Sequence, residues 1–433
     1  MLARQKVFTL LTGICTLVLC SLPIARAEPR TGSTAALEFA EKVIAGGPKD
    51  FMEVRHLTLR GSNFEIGRKL AEIAKEGLGV RPEPSDDKLR TRAQREYFQR
   101  NYPIHFERMR GAAAAFGLDI KDDAHNVSSL TYGLTLPGCS VVYYPPGVTA
   151  DGAAVLSRNY DFTTGTIMGR IPAPKEAPCT SRPYIVEMYP DQGYASLAVV
   201  AYDLLGSVLD GINSEGLTVA LLADDELQDL GKADPARGTQ AGLEVIQVTR
   251  LLLDTCANVD EAKAALMSSR LYYSIIPCHY IVADRHGKSF IWENAPTMHY
   301  GHIVDGGGAP LMTTNFMHYL HPEARDPAKA KEPFRTCNRY EALRQRIASA
   351  SGKFTVDGVK ANNAAVMMVG PAPAAPRAAN RTLWHSLYFP EQRRMEIDFY
   401  LGETPGASPN DAPIIRRSGY LGFKLEPQTQ ASR

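Results

Sequence analysis

The stretch Leu136-Pro137-Gly138-Cys139-Ser140-Val141-Val142, followed by Leu156-Ser157-Arg158-Asn159-Tyr160-Asp161, decides how this chain reads. A Cys thiol is mostly protonated near neutrality, with an ordinary pKa of about 8.5. One way to activate it is to make it the first residue of a chain. Its own α-amine, with a pKa of about 8, can then act as the base. That requires the Gly138–Cys139 bond to be cut. Gly138 suits the cut, because without a side chain it lets the thiol approach its carbonyl and lets the backbone take a strained geometry. Arg158 and Asp161 supply the charges such a centre needs; taken alone, the two read sooner as a strand-end ion pair.

Working outward, Met1 to Ala27 carries Arg4 and Lys6, an apolar run from Val7 to Leu22, and the small-residue site Ala25-Arg26-Ala27. This reads as a secretory signal peptide over residues 1–27 and predicts a secreted or periplasmic protein. The run is shorter than the roughly 20 residues a spanning helix needs, and it contains Thr and Gly, so no membrane span is expected in the mature form. Removing it takes three basic residues (Arg4, Lys6, Arg26) and no acidic ones from the chain's 48 basic and 47 acidic, leaving 45 against 47. Such a balance gives no reason to expect nucleic acid as a partner. With 44% hydrophobic residues, the chain can build a substantial globular core.

Of the seven Cys, Cys15 and Cys20 leave with the leader, and Cys139, Cys179, Cys256, Cys278 and Cys337 stay. An odd count in an oxidising compartment leaves at least one free thiol. Cys179, Cys256, Cys278 and Cys337 read either as buried small hydrophobes or as disulfide halves, with three possible pairings. None of the spacings resembles a zinc site, and no metal or organic cofactor is implied.

From about Thr34 to Leu118 the pattern is helical: Ala35–Ile44, Asn63–Leu78, then a long stretch from Thr91 to Phe116 that Gly117 would cap. Val80–Asp87, rich in Pro and Asp, reads as a loop. Residues 28–138 are therefore expected to be a helical pro-segment. Beyond Cys139 the texture changes to short β runs: 153–157, 183–189, 196–201, 217–222, 279–283, 289–293, 311–314, 383–389 and 395–401. Two helical stretches interrupt them, Leu243 to Ser268 with a break near Cys256, and Cys337–Ser349. Loops are expected at Gly370–Ala379 and Glu403–Pro413. The class is α+β, with sheets covered by helices.

Further motifs stand in a fixed order. They are Arg158-Asn159-Tyr160-Asp161; Asp210-Gly211-Ile212-Asn213-Ser214-Glu215-Gly216-Leu217; a His279–Asp284 run with Gly287 and Phe290–Glu293; Thr314-Asn315; and Asn338-Arg339-Tyr340. Together with Cys139 this set resembles the N-terminal-nucleophile hydrolases of the choloylglycine hydrolase and penicillin V acylase group. It is also similar to their self-cleaving acyltransferase relatives, typified by penicillin-forming acyl-coenzyme A acyltransferase. Gly61-Ser62-Asn63-Phe64-Glu65-Ile66-Gly67 matches a motif of the acyltransferase branch's pro-segment and leans the resemblance that way. Ser140 stands where Thr is common in the group, and the Pro145-Pro146 pair is a further departure.

The resemblance implies a four-layer αββα sandwich over residues 139–433, made as a precursor that cuts itself before Cys139, with the small and large chains staying together. It implies hydrolysis of a linear amide in a small N-acyl substrate, or transfer of the acyl group to an amine. Carried over by residue, Cys139 attacks the carbonyl while its amine shuttles the proton. Asp161 holds the ammonium, and Arg158 favours the thiolate. Asn213 and Asn315 stabilise the oxyanion, each donor contributing roughly 3 kcal/mol. Arg339 completes the charges.

Asn213 is also a good turn residue. Tyr160, Ile167 and Met168, with Tyr143 and Tyr144, would line an apolar acyl pocket, although aromatic residues beside a strand are more often core. Two other readings stay open. One is a thiol hydrolase that never cuts itself and uses His279 as base. The other is a periplasmic binding protein on the same fold without catalysis. His279 and Cys278 read as structural.

Overall fold

The computed structural model describes residues 36–132, 138–165, 180–224, 240–273, 277–294, 301–321, 337–370, 378–408 and 411–427. In chain order come β1 (Glu38–Gly46), β2 (Glu53–Gly61), α1 (Asn63–Gly77), α2 (Lys88–Asn101) and α3 (Pro103–Phe116). Then follow β3 (Gly138–Tyr144), β4 (Val155–Thr163), β5 (Tyr184–Pro190), β6 (Ser196–Val200), β7 (Asp210–Asn213), β8 (Thr218–Ala223) and β9 (Leu243–Glu244). The next group is α4 (Val248–Thr255), α5 (Val259–Ser268), β10 (Leu271–Tyr272), β11 (Cys278–Ala283), β12 (Ser289–Asn294), β13 (Gly301–Asp305) and β14 (Leu311–Thr313). The chain closes with α6 (Cys337–Ala348), α7 (Val356–Ala364), β15 (Asn380–Phe389), β16 (Arg394–Thr404), β17 (Ile414–Arg417) and β18 (Leu421–Lys424).

Among the described residues two large sheets form. One has nine strands in the order β1-β2-β5-β6-β7-β8-β11-β12-β13; the other runs β14-β3-β4-β15-β16-β17, with β18 also pairing β16. The sheets meet face to face where β3 touches β8. α4 and α5 cover the first sheet, and α6 and α7 cover the second. This is the expected αββα sandwich. β6, β8 and β11 read as largely apolar runs because they are buried throughout, and β4 is equally buried although it carries Ser157, Arg158, Asn159 and Asp161.

The segment before Cys139 is not purely helical. The stretch expected as a helix over Ala35–Ile44 is strand β1, paired antiparallel with β2 across a bulge near Val43. Its Ala, Glu and Lys content favours a helix, but the pairing partner overrides that propensity. β2 in turn runs parallel to β5, so residues before Cys139 complete the nine-stranded sheet. The long helix expected over Thr91–Phe116 is two helices. Tyr102 closes α2 and Pro103 opens α3, since proline has no N–H to continue α2 but fits a first helical turn. Gly117 ends α3 in a left-handed conformation (φ 70°), as expected. The stretch read as helical from Leu243 begins its helix only at Val248, after a Glu244/Gln247 capping box. α7 and the strands β2, β3, β7, β10, β13, β17 and β18 have no counterpart among the expected elements.

The Gly61–Gly67 motif has a local explanation. Ser62 caps α1 by accepting from Glu65 N at 3.2 Å. A Cβ on Gly67 would lie 2.1 Å from the Arg108 carbonyl oxygen, and one on Gly111 would lie 2.0 Å from that of Phe64. α1 and α3 therefore cross in backbone contact, which only glycine permits. Beneath the crossing, fully buried Arg108 donates to Asn63 Oδ1 (2.8 Å) and pairs with Asp254 of α4 (2.5 Å), which also receives the Tyr102 hydroxyl. Burial opposes charge on Asp254, yet Arg108 and Arg250 outweigh it and hold its carboxyl below the ordinary range.

Candidate active site

β3 begins at Gly138, and antiparallel pairing with β4 sets Gly138 opposite Asp161, Cys139 opposite Tyr160 and Val141 opposite Arg158. Strand alternation sends Arg158 and Tyr160 to one face of β4, toward the facing sheet. There Arg158 Nη2 lies 3.3 Å from Cys139 Sγ and donates to the Leu221 carbonyl on β8 (2.9 Å), while Nη1 pairs with Asp210 Oδ1 on β7 (2.8 Å). The other oxygen of Asp210 accepts from Ser386 Oγ on β15. Both members of the Arg158–Asp210 pair are fully buried. Burial opposes the Arg158 charge, but Asp210 more than offsets it, so the guanidinium stays ionised.

The nitrogen of Cys139 donates to Asn315 Oδ1 at 2.6 Å. Arg339 Nη2 donates to the same atom at 2.8 Å, so the side-chain atom facing both donors is the oxygen. Asn315 Nδ2 is turned away to the Ala223 carbonyl (2.8 Å). Arg339 Nη1 donates both to the Cys139 carbonyl (2.8 Å) and to Asp161 Oδ2 (2.7 Å), and Thr382 Oγ1 donates to Asp161 Oδ1 at 2.5 Å. Five of the residues singled out from sequence, Cys139, Arg158, Asp161, Asn315 and Arg339, thus meet at one point between the sheets.

In the uncut chain three of the expected residues make contacts other than those their expected roles call for. Asn213 is not in the cluster. Its Oδ1 accepts from Glu215 N and Leu217 N, its Nδ2 donates to the carbonyls of Leu253 and Cys256, and its N–H bonds Leu217 O, so the turn reading accounts for every polar atom. Asn315 presents its oxygen to the Cys139 nitrogen, not its amide to an oxyanion. Asp161 is bound by Arg339 and Thr382, while the hydrogen bond from the Cys139 nitrogen goes to Asn315. Three contributors escape the sequence reading: Asp210, Ser386 and Thr382. Asp210 sits three residues before Asn213 in the same motif, and it is the buried partner that Arg158 requires.

Around the thiol, burial pushes the pKa of Cys139 up to about 11; Arg158 pulls it down and Asp161 pushes it up. Burial also raises the Asp161 carboxyl, against the pull of Arg339. Two arginines, Arg158 and Arg339, and two carboxylates, Asp161 and Asp210, thus surround the thiol in equal number.

Tyr160 stacks on Trp384 (centroids 3.9 Å apart), and its hydroxyl meets that of Tyr202, a residue held at φ 77°. Tyr143 and Tyr144 bond Asp284 O and Asn362 and belong to the core, not to a pocket. Ile167 and Met168 lie outside the described residues, as does Cys179. Cys256 is a buried free thiol, and Cys278 is buried as well. His279 is bonded to Asp224 and Thr313.

The family model of acyl-coenzyme A:6-aminopenicillanic acid acyl-transferase matches residues 148–403, a range that begins after Cys139 and contains Arg158, Asp161, Asp210, Asn315 and Arg339. Among solved structures, a mutant of conjugated bile acid hydrolase from Clostridium perfringens is similar at a TM-score of 0.44, with 14% identity over 67% of this chain and 97% of that one. Penicillin V acylase from Agrobacterium tumefaciens gives 0.38 and 15% over 62% and 84%. The Caenorhabditis elegans N-acylethanolamine-hydrolyzing acid amidase ortholog gives 0.33 and 14% over 58% and 92%. At these scores the likenesses stand beside the family match without adding to it. No curated protein matches the sequence. The family match spans more than half of the 433 residues, and on that ground the chain belongs to the acyl-coenzyme A:6-aminopenicillanic acid acyl-transferase family.

Proposed function

We propose that this chain is an exported cysteine N-terminal-nucleophile enzyme that cuts itself between Gly138 and Cys139 and then cleaves the amide bond of a small N-acyl substrate. The observation that carries the reading is the placement of Cys139, with Arg158 Nη2 3.3 Å from its sulfur and Asn315 Oδ1 2.6 Å from its nitrogen. Both atoms that an N-terminal nucleophile uses are thereby held by buried partners.

In self-cleavage Cys139 Sγ attacks the Gly138 carbonyl carbon. The carbon–sulfur bond forms, the carbon–nitrogen bond breaks, and the thiol proton ends on the released Cys139 nitrogen. Water then hydrolyses the thioester and frees the Gly138 carboxylate. The new amine sits on Asn315 Oδ1 and serves as the base for the thiol in each later cycle. Arg158 opposes, without cancelling, the desolvation that keeps the thiol protonated. Substrate acylates Cys139 with departure of the amine product, and water completes hydrolysis.

The family's description is that of a transferase, which supports an alternative in which an amine takes the place of water in the second half-reaction. Export rests on the leader ending near Ala27.

N-terminal sequencing of the purified protein beside a Cys139→Ala control tests the reading. A second chain starting at Cys139 in the wild type alone is the expected result, with release of amine from an N-acyl amide panel by the processed form. A single uncut chain in both preparations sinks it.

A further inference from the structure

The pair His279–Asp224 is the strongest polar feature that the proposed chemistry leaves unused. His279 stands on β11, is fully buried, and bridges the two sheets: Nδ1 bonds Asp224 Oδ1 at the end of β8, and Nε2 lies 3.2 Å from Thr313 Oγ1 of β14. A backbone hydrogen bond joins the ring to Thr314 as well. The next residue is Asn315. Its Nδ2 is anchored on the carbonyl of Ala223, the neighbour of Asp224. On the far side Glu293 of β12, also fully buried, accepts from the backbone N–H groups of His318 (2.6 Å) and Tyr319 (3.0 Å). Buried side chains from two adjacent strands therefore grip residues 313–319 at both ends, with Asn315 between them.

Stability alone is a poor reason for this device. Removing a histidine and two carboxylates from water is costly, and apolar residues of similar volume would serve packing as well. What polar anchors add is a fixed direction. Asn315 Oδ1 must sit on the Cys139 nitrogen and on Arg339 together, and a displacement of about 1 Å in such a constellation can cost on the order of 100-fold in rate.

We propose that His279, oriented by Asp224, is a positioning residue: through Thr313 and Thr314 it aims Asn315 at the nitrogen of the nucleophile. The groups facing the ring are Asp224, Glu293, Thr313 and Thr314. Burial opposes charge on the ring, while Asp224 and Glu293 favour it and hold its pKa above the ordinary value, which suits a ring that donates at both nitrogens. The inference rests on the reading of Cys139 as a terminal nucleophile, and its test separates the two.

Two readouts are taken on His279→Ala, His279→Gln, Asp224→Asn, Asn315→Ala and the double variant His279→Ala/Asn315→Ala. The first is the rate at which the chain starting at Cys139 appears. The second is hydrogen exchange of the backbone amide at position 139, measured with each change placed on a Cys139→Ala background, where the chain stays uncut under any reading. His279→Ala is expected to slow processing about 100-fold and to speed exchange at position 139 while leaving β5 and β6 protected. His279→Gln, which keeps a donor toward Thr313, is expected to recover much of both, and Asp224→Asn to fall between. The double variant is expected to be no worse than Asn315→Ala. Additive effects, or unchanged exchange at position 139 in Asp224→Asn and in a folded His279→Ala, overturn the proposal. If the wild type is never processed, the self-cleavage reading fails, and the exchange arm still decides whether His279 positions Asn315. Should His279→Ala not fold, the two conservative variants carry the test.

Discussion

At the scale of the residue, the Arg158–Asp210 pair ties Cys139 to the opposite sheet. Neither member reaches solvent, so removing one leaves the other as an uncompensated buried charge, at about 3–5 kcal/mol. Arg158→Met is therefore expected to lower the denaturant midpoint strongly. Adding Asp210→Asn should restore most of that stability, because the stranded charge is gone, yet leave processing and turnover abolished, since nothing then sits by the sulfur. Equilibrium denaturation alongside N-terminal sequencing checks both halves; recovery of processing in the double variant contradicts the role given to Arg158. Much of this cluster is legible in the sequence, because Cys139, Arg158, Asp161, Asn315 and Arg339 belong to motifs whose order is specific. Asp210 is not, because its partner is 52 residues away on another sheet and its neighbours Gly211 and Asn213 read as a turn. Asn213 misleads for the same reason: a turn asparagine and an oxyanion donor look alike until their hydrogen bonds are traced.

At the scale of the element, the helices that bury one face are readable, whereas β1 is not, because its pairing with β2 is invisible to local propensity. The α1–α3 crossing gives a sharp test. Gly67→Ala places a methyl group 2.1 Å from a backbone oxygen of α3, and separating the helices is expected to cost about 3 kcal/mol or more. Gly77→Ala, in the same helix with nothing within 4 Å, is expected to be neutral or stabilising by up to about 1 kcal/mol. Thermal unfolding of the two variants discriminates them. The segment before Cys139 is held by Asp203, which accepts from the N–H groups of Leu130 (2.6 Å), Leu205 (2.9 Å) and Gly206 (3.1 Å). Burial raises this carboxyl to about 6 from its ordinary 3.8, with the N–H groups opposing. Its folded pKa is raised, so between about pH 4 and 6 the folded chain binds a proton that the unfolded chain has lost, and stability falls as pH rises through that window. The shift corresponds to about 3 kcal/mol. Asp203→Asn is expected to remove that component, flattening the unfolding midpoint over this range relative to wild type; identical pH profiles would count against it.

At the scale of the whole molecule, the residues before Cys139 are built into the catalytic sandwich. β2 and β5 pair over seven residues, from Arg55 opposite Tyr184 to Gly61 opposite Pro190. Arg108 reaches across to Asp254, and Gln94 binds both the N–H and the carbonyl of Gly242. Cutting one bond before Cys139 removes none of these contacts, and the hydrophobic core runs continuously through Leu57, Ile66, Leu70 and Met109 into β5 and β6. The two chains are accordingly expected to elute together on size exclusion at the mass of the uncut protein and to separate only in denaturant. Arg108→Met leaves Asp254 with only Arg250 and the Tyr102 hydroxyl and cuts the tie between the segments, so it is expected to lower the denaturant concentration at which they part. Expressed alone from Cys139 onward, the large chain would expose the long edge of β5, a template for pairing with other copies, and is expected to aggregate. Supplying residues 28–138 in trans during refolding should return it to solution. A large chain that is soluble and monomeric without that partner would show that β1, β2 and the three helices are an appendage and not part of the fold.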